Sequence, residues 1–340
     1  MKIVFLSYSD VSYSRSAVYF GGIELEKIFI RVKPGLFNSI KVLRKTQERY
    51  EYKDTVLVVM SPSHLLAFYF AVFTKFTIVL DAGWPLSDSG GRGFSRFKNC
   101  LIDYLAFNYA DSVILESQAQ VKHSKEKFRL DSRKLHVLYT GFNESEVKGT
   151  EMPPEIHISQ DLYKTRVLFR GKNNEEAGIA HIVACANLLP EVQFVIATNR
   201  FDGKFPRNVL LITRRLSTNE ISWLYQNSDC ALGQFGENQR LDRTIPHKLF
   251  ESMYFGISYL SPPHDGILEI LKPKDFIEVI PNKAFQLAAE IKKIESSPAE
   301  FFRASRTLRS NYAKLYSQQA LSLEFLEILR STNQHKFRRF

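Results

Sequence analysis

Short apolar and β-branched runs alternate along this chain with stretches of helical periodicity, and the alternation occurs twice. The first series predicts strands at residues 2–7, 27–32, 55–60, 76–80, 112–115 and 135–139. The second predicts strands at 166–169, 193–197, 209–212, 230–232, 257–260 and 276–279. Such alternation is typical of βαβ units with a parallel sheet. Right-handed crossovers then give α/β, doubly wound domains that bind ligands at the carboxyl ends of their strands.

A polar stretch at 143–161, which contains Gly149 and Pro153-Pro154, interrupts the alternation and is predicted to be a linker. The expected domains are residues 1–150 and residues 162–316. Residues 332–340 are expected to form a basic, disordered tail. With 340 residues, of which 44% are hydrophobic, the chain is long enough for two separate cores.

Cysteine usage and hydropathy indicate the compartment. Cys100, Cys185 and Cys230 are widely separated and form no C-x-x-C, which argues against a disulfide framework and a thiolate metal site. The apolar run 3–6 is too short for a signal peptide, and the longest one, 65–73, is about half of a membrane span. We therefore expect a cytoplasmic protein, either soluble or peripheral at the inner membrane face.

The formal net charge of +10 suggests an anionic partner. The excess is concentrated at 41–49, 122–134 and 335–340, and a basic surface with aromatic residues suits an anionic membrane. A merely solvated basic face is the open alternative. No helix-turn-helix, zinc-finger or RNP-like pattern accompanies the charge, so we expect no nucleic-acid partner.

The segment 243–270 carries the most specific pattern. A helix of about ten residues is predicted between Pro246, which suits a first helical turn, and Gly256, which suits a left-handed end. His247, Lys248 and Glu251 share one flank of this helix. The other flank is apolar and carries Leu249, Phe250, Met253 and Tyr254.

The start of that helix is a candidate anion site. Its first N–H groups are unpaired and the helix dipole is positive there, so a phosphate could bind beside His247 and Lys248. Glu251 could accept hydrogen bonds from a sugar diol. The alternative is that Lys248 and Glu251 form an i, i+3 ion pair on a solvated face.

The run Pro246-x-Lys248-x-x-Glu251-x-Met253-x-x-Gly256, followed by Ser261 and Gly266-Ile267-x-Glu269, resembles the donor-binding motif of GT-B glycosyltransferases. The likeness is strongest to the retaining family 4, glycosyl transferases group 1. It implies GT-B architecture: two Rossmann-like domains, with the C-terminal helix 317–331 crossing back to the first. The second domain would bind a nucleotide diphosphate sugar as co-substrate, and Glu251 would hold the ribose hydroxyls. A glutamate that contacts the sugar in the family is replaced here by Arg243.

A second part of the resemblance lies in the loop after the first strand of the second domain. The family places two cations there that bind the donor diphosphate. Gly171 and Gly178 match the pattern, Lys172 stands for the arginine, and Ala177 occupies the lysine position. A basic loop edge is the alternative interpretation. The expected donor-binding residues are Glu251, Lys248, Lys172, Arg243, Arg170, His247 and Arg215.

Acceptor-side candidates lie in the first domain. Asp81 directly follows the predicted strand 76–80, where a doubly wound fold places ligands. The resemblance implies that it orients the acceptor or, in an inverting reaction, accepts its proton. Trp84 offers a face for sugar stacking, while Asp88 fits an acceptor contact or ordinary turn chemistry. Arg15 lies in a serine-rich loop, 7–16, and is expected at the cleft between the two domains. The sequence has no Asp-x-Asp motif, so no metal cofactor is expected.

These features predict a hexosyltransferase that transfers sugar from a nucleotide diphosphate to a carbohydrate or lipid-linked acceptor, in surface polysaccharide or glycolipid synthesis. The resemblance makes a retaining outcome the expected one. Because of Ala177 and Arg243, a binding module with impaired catalysis is a second hypothesis. A nucleotide-sugar epimerase on the same fold is a third.

Overall fold

The computed structural model describes residues 1–11, 14–88, 93–156, 163–279 and 283–337. The chain forms two compact units. Unit 1 comprises Met1–Gly141 together with Gln318–Phe340, and unit 2 comprises Phe142–Ser317. The last helix therefore belongs to the same unit as the first strand. None of the described helices is both long and apolar enough to span a lipid bilayer.

Unit 1 contains a six-stranded, wholly parallel sheet in the order β2-β1-β3-β4-β5-β6. Its strands are β1 (Lys2–Ser7), β2 (Lys27–Arg31), β3 (Thr55–Met60), β4 (Thr77–Gly83), β5 (Ser112–Leu115) and β6 (Leu135–Val137). Its helices are α1 (Ser14–Gly22), α2 (Leu36–Arg49), α3 (His64–Phe73), α4 (Phe94–Tyr109), α5 (Gln118–Phe128) and α12 (Gln318–Phe337). Strands that are buried on both faces, such as β3, require helices on each side of the sheet.

A layer of apolar side chains covers each face of this sheet. On one side α2 to α5 contribute side chains such as Leu43, Phe70 and Phe107 to a core shared with the strands. On the other side α1 and α12 pack together, and the ring of Phe325 stacks on that of Tyr19 at 5.0 Å. Helix α1 is a correction to the predicted serine-rich loop, because burial of Val18 and Tyr19 outweighs the weak helix propensity of the segment.

Helix α12 extends further than expected. The residues predicted to form a disordered tail from 332 onwards continue the helix to Phe337. Lys336 Nζ lies 2.7 Å from Asp111 Oδ2 in the same unit, and this ion pair holds the last turn of the helix. Residues 338–340 lie outside the described part of the chain.

Unit 2 contains a second six-stranded parallel sheet, in the order β12-β11-β10-β7-β8-β9. Its strands are β7 (Thr165–Arg170), β8 (Val192–Ala197), β9 (Val209–Ile212), β10 (Cys230–Leu232), β11 (Ser258–Ser261) and β12 (Ile277–Glu278). Its helices are α6 (Ile179–Leu188), α7 (Thr218–Gln226), α8 (His247–Phe255), α9 (Asp265–Leu268), α10 (Ala284–Ser296) and α11 (Pro298–Asn311). All twelve predicted strands are present, and the predicted doubly wound pattern is confirmed in each unit.

Candidate functional site

Two loops pack against each other at the carboxyl edge of the unit 2 sheet. The loop that links β7 to α6 includes Gly178, and the loop after β10 includes Gly236. A Cβ atom on Gly236 would lie 1.9 Å from the carbonyl oxygen of Glu175, and one on Gly178 would lie 2.7 Å from the carbonyl carbon of Phe235. Only glycine permits this close approach, and the φ of +64° at Gly178 also favours it. The two loops are therefore held against each other beside the start of α8.

Helix α8 is positioned by its ends and by its apolar residues. Pro246 is its N-cap, and Gly256 ends it in the left-handed conformation with φ 66°, as predicted. Leu249, Phe250 and Met253 are fully buried. This packing holds the first turn of the helix at the carboxyl edge of the sheet.

Glu251 is the centre of the polar contacts around α8. Its carboxylate is completely buried. The guanidinium of Arg170 donates to both carboxylate oxygens, with Nε lying 2.8 Å from Oε2. The hydroxyl of Tyr225 donates to Oε2 at 2.7 Å, and Nδ1 of His247 lies 3.1 Å from Oε1. Burial alone would raise the pKa of Glu251, but Arg170 and His247 hold it well below its usual range, so the group is a carboxylate.

Lys248 is buried beside this cluster. Its Nζ atom lies 3.8 Å from the centroid of the Phe169 ring and donates to the carbonyl oxygen of Gly233 at 3.3 Å. A Cβ atom on Gly171 would lie only 3.2 Å from Nζ, so the ammonium faces the loop after β7. Burial and the nearby charge of Arg170 lower the pKa of Lys248 to about 7.

These contacts correct one alternative from the sequence. Lys248 and Glu251 do not form an ion pair on a solvated face, because both are buried and each is held by other groups. The cause is the packing of α8 on all sides, which spacing along one helix does not reveal. The structure thus brings together Arg170, His247, Lys248 and Glu251.

The remaining donor-side candidates lie around this cluster. Lys172 is exposed, two residues beyond the end of β7. Arg243 is half-buried at the end of the 3-10 turn Gln239–Asp242, just before α8. Arg215 is exposed in the loop before α7, next to Arg214, which pairs with Glu155 and Glu220. Ala177 is buried in the unit 2 core.

Tyr225 was missed by the sequence reasoning. It lies on α7, and its ring stacks on Phe255 at 5.2 Å while its hydroxyl reaches Glu251. The two partners are 26 residues apart in different helices. No motif links them, and only an aromatic residue on the buried flank of a predicted helix could have suggested the contact.

In unit 1, Asp81 and Arg15 are partners. Asp81, at the carboxyl end of β4, accepts a hydrogen bond from Arg15 Nη2 at 2.7 Å, and both side chains are almost fully buried. Arg15 also donates to the carbonyl oxygen of Leu138 and to Thr140 Oγ1. The arrangement fixes the orientation of Asp81, and a role in proton transfer would require this ion pair to open.

The other two acceptor-side candidates lie just after β4. Trp84 is half-buried, and its backbone N–H donates to Ala82 at 2.7 Å. Asp88 accepts hydrogen bonds from Lys127 and Gln120 of α5, at 2.9 Å and 3.2 Å. Burial opposes its ionisation, but these donors lower the pKa of Asp88. Asp88 therefore joins the turn after β4 to α5.

Within residues 1–11, 14–88, 93–156, 163–279 and 283–337, no group of three or more His, Cys, Asp or Glu side chains is placed to hold a metal ion. The polar clusters of both units combine arginine or lysine with carboxylates instead.

No family model matches the sequence, and no curated protein sequence matches it. Solved structures are similar to it in fold. HepE from Anabaena in complex with UDP is 14% identical, with a TM-score of 0.74 over 97% of this chain and 100% of HepE. Sucrose-phosphate synthase from Thermosynechococcus elongatus is 13% identical, with a TM-score of 0.75 over 97% and 99% of the two chains. A glycosyltransferase from Rickettsia africae is 13% identical, with a TM-score of 0.70 over 97% and 98%.

At such low identity this likeness concerns architecture. Both chains are covered almost completely in each comparison, so the similarity extends over both units. Together with the two six-stranded parallel sheets and their flanking helices, it shows that this chain has the GT-B fold.

Proposed function

We propose that this protein is a glycosyltransferase whose unit 2 binds a nucleotide diphosphate sugar. The observation that carries the proposal is the buried Glu251 carboxylate, one turn into α8, with Arg170, His247 and Lys248 around it. An acceptor for a sugar diol and cations for a diphosphate thus lie beside one helix N-terminus. HepE, which shares the fold, has been solved with UDP and with UDP-glucose.

Two polar atoms at the start of α8 favour a ligand there. Nε2 of His247 and Oγ1 of Thr244 are buried and have no hydrogen-bond partner among the described residues. An unsatisfied buried polar group costs about 1–3 kcal/mol. A ligand that supplies hydroxyl or phosphate oxygens would satisfy both atoms.

Binding of the donor would rearrange the contacts of Glu251. Four hydrogen bonds already reach its carboxylate, which leaves little capacity for ribose hydroxyls. Arg170 and His247 are the partners able to leave, because their side chains are 29% and 31% exposed, whereas Tyr225 is fully buried. A donor diphosphate would draw Arg170 towards the phosphates and free two acceptor positions on Glu251. Lys248 and the exposed Lys172 would add positive charge, so the proposal includes no resident metal.

The proposed reaction breaks the bond between the anomeric carbon and the diphosphate oxygen and forms a bond to an acceptor hydroxyl oxygen. In a retaining enzyme the leaving phosphate accepts the hydroxyl proton. Asp81 would then orient the acceptor through its fixed pair with Arg15, and Trp84 would contact the acceptor sugar. The proposed acceptor is a carbohydrate or lipid-linked sugar of surface polysaccharide or glycolipid synthesis.

A thermal-shift screen of nucleotides and nucleotide sugars tests donor binding, and a transfer assay with the best donor tests catalysis. We expect one nucleoside diphosphate and its sugar conjugates to raise the melting temperature. If no nucleotide stabilises the protein at millimolar concentration, the assignment of unit 2 is wrong.

A catalytically impaired binding module is the second candidate. Burial of Ala177 within the core favours it, because the loop carries no cation at that position. Stabilisation by a nucleotide sugar without transfer or hydrolysis of any donor in the screen would support this alternative. Free sugar that is formed without an acceptor, and whose configuration at one ring carbon differs from that of the donor sugar, would instead indicate an epimerase.

A further inference from the structure

One surface of unit 1 concentrates exposed apolar side chains. Of the nineteen large apolar residues that are exposed among the described residues, ten lie on three helices of the same layer. We call this surface the α2–α4 face. Its exposed apolar members are Leu36, Phe37, Ile40, Val72, Phe73, Phe94, Phe97, Leu101, Tyr104 and Tyr109.

Helix α4 contributes a continuous stripe to this face. Phe94, Phe97, Leu101 and Tyr104 follow the spacing i, i+3, i+7 and i+10, which places them along one flank of the helix. Their exposed fractions are 81%, 68%, 50% and 49%. The core contacts of α4 are made by other residues, such as Phe107. The helix thus has a second apolar flank that is exposed among the described residues of unit 1.

Helix α3 joins the stripe on α4 to the rest of the face. Its sequence, HLLAFYFAVF, contains no acidic or basic side chain other than the buried His64. Phe70 faces the core, whereas Phe68 is only half-buried and its ring meets that of Tyr109 at 5.2 Å. A helix that is apolar all round is normally covered on every side. Among the described residues of unit 1, the outward side of α3 is only partly covered, and Val72 and Phe73 are exposed.

The charges on the face are almost entirely positive. In α2, Lys41 follows the exposed Phe37 by four residues, and in α4 Lys98 follows the exposed Phe94 by the same interval. Each cation therefore lies beside an exposed ring. Within the described helices α2, α3 and α4, Glu48 is the one exposed carboxylate, and it is next to Arg49. The remaining exposed cations on these helices are Arg44, Lys45 and Arg96.

We propose that the α2–α4 face docks on a lipid leaflet that contains anionic headgroups. Phe37, Phe94 and Phe97 would enter the boundary between headgroups and acyl chains, and the lysines beside them would meet lipid phosphates. The positive charge of the face favours an anionic lipid leaflet over a second copy of this chain. Two copies of this face packed symmetrically would oppose cation with cation, which disfavours a dimer through it. The inference goes beyond donor binding, because it uses no residue of unit 2.

Flotation with lipid vesicles tests the proposal with the full chain. One set contains phosphatidylcholine alone and the other contains equal parts of phosphatidylcholine and phosphatidylglycerol. We expect binding to the anionic vesicles only. The double variant Phe94→Ser, Phe97→Ser should weaken that binding by roughly tenfold or more, because each ring loses apolar burial. The variant Lys41→Glu, Lys98→Glu should weaken it by at least roughly fivefold for each cation.

The matched control is Phe285→Ser, Phe302→Ser, which removes two exposed rings of unit 2 with exposed fractions of 62% and 64%. It should bind anionic vesicles as the wild type does. All the substituted side chains are exposed, so each variant should melt as the wild type does. Failure to bind anionic vesicles, equal binding to neutral ones, or loss of binding in the control alone would overturn the proposal. A wild-type dimer that Phe94→Ser, Phe97→Ser converts to a monomer, without vesicle binding, would identify a second copy as the occupant instead.

Discussion

Arg170 Nε lies 2.8 Å from Oε2 of Glu251, and Arg170 Nη2 contacts Oε1 of the same carboxylate. This pair joins the end of β7 to α8 across 81 residues of sequence. In the free protein, Arg170 therefore occupies hydrogen-bonding positions on both oxygens of Glu251. In the function proposed above, the same arginine must turn from the carboxylate to the donor diphosphate, so the pair affects both stability and binding.

Removing only one partner of this pair should lower the free energy of unfolding. We expect Arg170→Leu to lower the free energy of unfolding by about 3 kcal/mol, because Glu251 then stays buried without its main counter-charge. In the double variant Arg170→Leu, Glu251→Leu most of that loss should be recovered, since no uncompensated charge remains. Urea denaturation of the wild type, both single variants and the double variant measures the coupling. A double variant that loses the sum of the single effects would show that the two side chains are energetically independent.

Donor affinity should depend on the protonation of Lys248. In the free protein its pKa is about 7, because it is buried near Arg170. A bound diphosphate would raise that pKa, so binding takes up protons above neutral pH. Affinity for a nucleotide sugar should therefore be constant at acidic pH and fall as pH rises above about 7, by at most about tenfold per pH unit.

Calorimetry from about pH 6 to about pH 9, in buffers of different ionisation enthalpy, measures this proton uptake. A nucleotide sugar is the suitable probe, because its diphosphate has no ionisation of its own in the range. Lys248→Met is the control, and it should bind more weakly with no pH dependence from this group. If the pH dependence persists in Lys248→Met, another residue is responsible.

The substitution Asp81→Asn should lower the stability of the protein. The substitution leaves the buried Arg15 without its counter-charge, and loss of one partner of a buried pair costs about 3–5 kcal/mol. The melting temperature should fall markedly, and Asp88→Asn, which changes a carboxylate on the same edge, should have a smaller effect. Asp81→Asn with wild-type melting but no transfer activity would instead indicate a direct role of Asp81 in proton transfer.

Much of the fold follows from local patterns. The strands were predictable because fully buried parallel strands are continuous apolar runs, as in β3. The end of α8 was predictable because Gly256 occupies a left-handed position that favours glycine. Helix α1 was not, since its stability comes from packing of Tyr19 against Phe325 on α12, more than 300 residues away.

The candidate site was only partly predictable, for a related reason. Spacing placed His247, Lys248 and Glu251 on one flank of α8, but periodicity within one helix does not reveal what covers that flank. Arg170 and Tyr225 reach Glu251 from β7 and α7, so these contacts depend on the arrangement of the sheet. The pairing of Arg15 with Asp81 also joins residues from separate elements.

Calorimetric titration with UDP and GDP, comparing the wild type with Glu251→Gln, tests the central claim most directly. Glutamine keeps the shape of the side chain and removes the charge that a ribose diol would contact. Glu155→Gln is the control, because it also removes the carboxylate of an arginine pair in unit 2. We predict that Glu251→Gln weakens binding of the preferred nucleotide by about tenfold to a hundredfold, since charge-assisted hydrogen bonds contribute about 1.5–3 kcal/mol, while Glu155→Gln binds as the wild type does. An unchanged affinity in a folded Glu251→Gln variant would contradict this prediction.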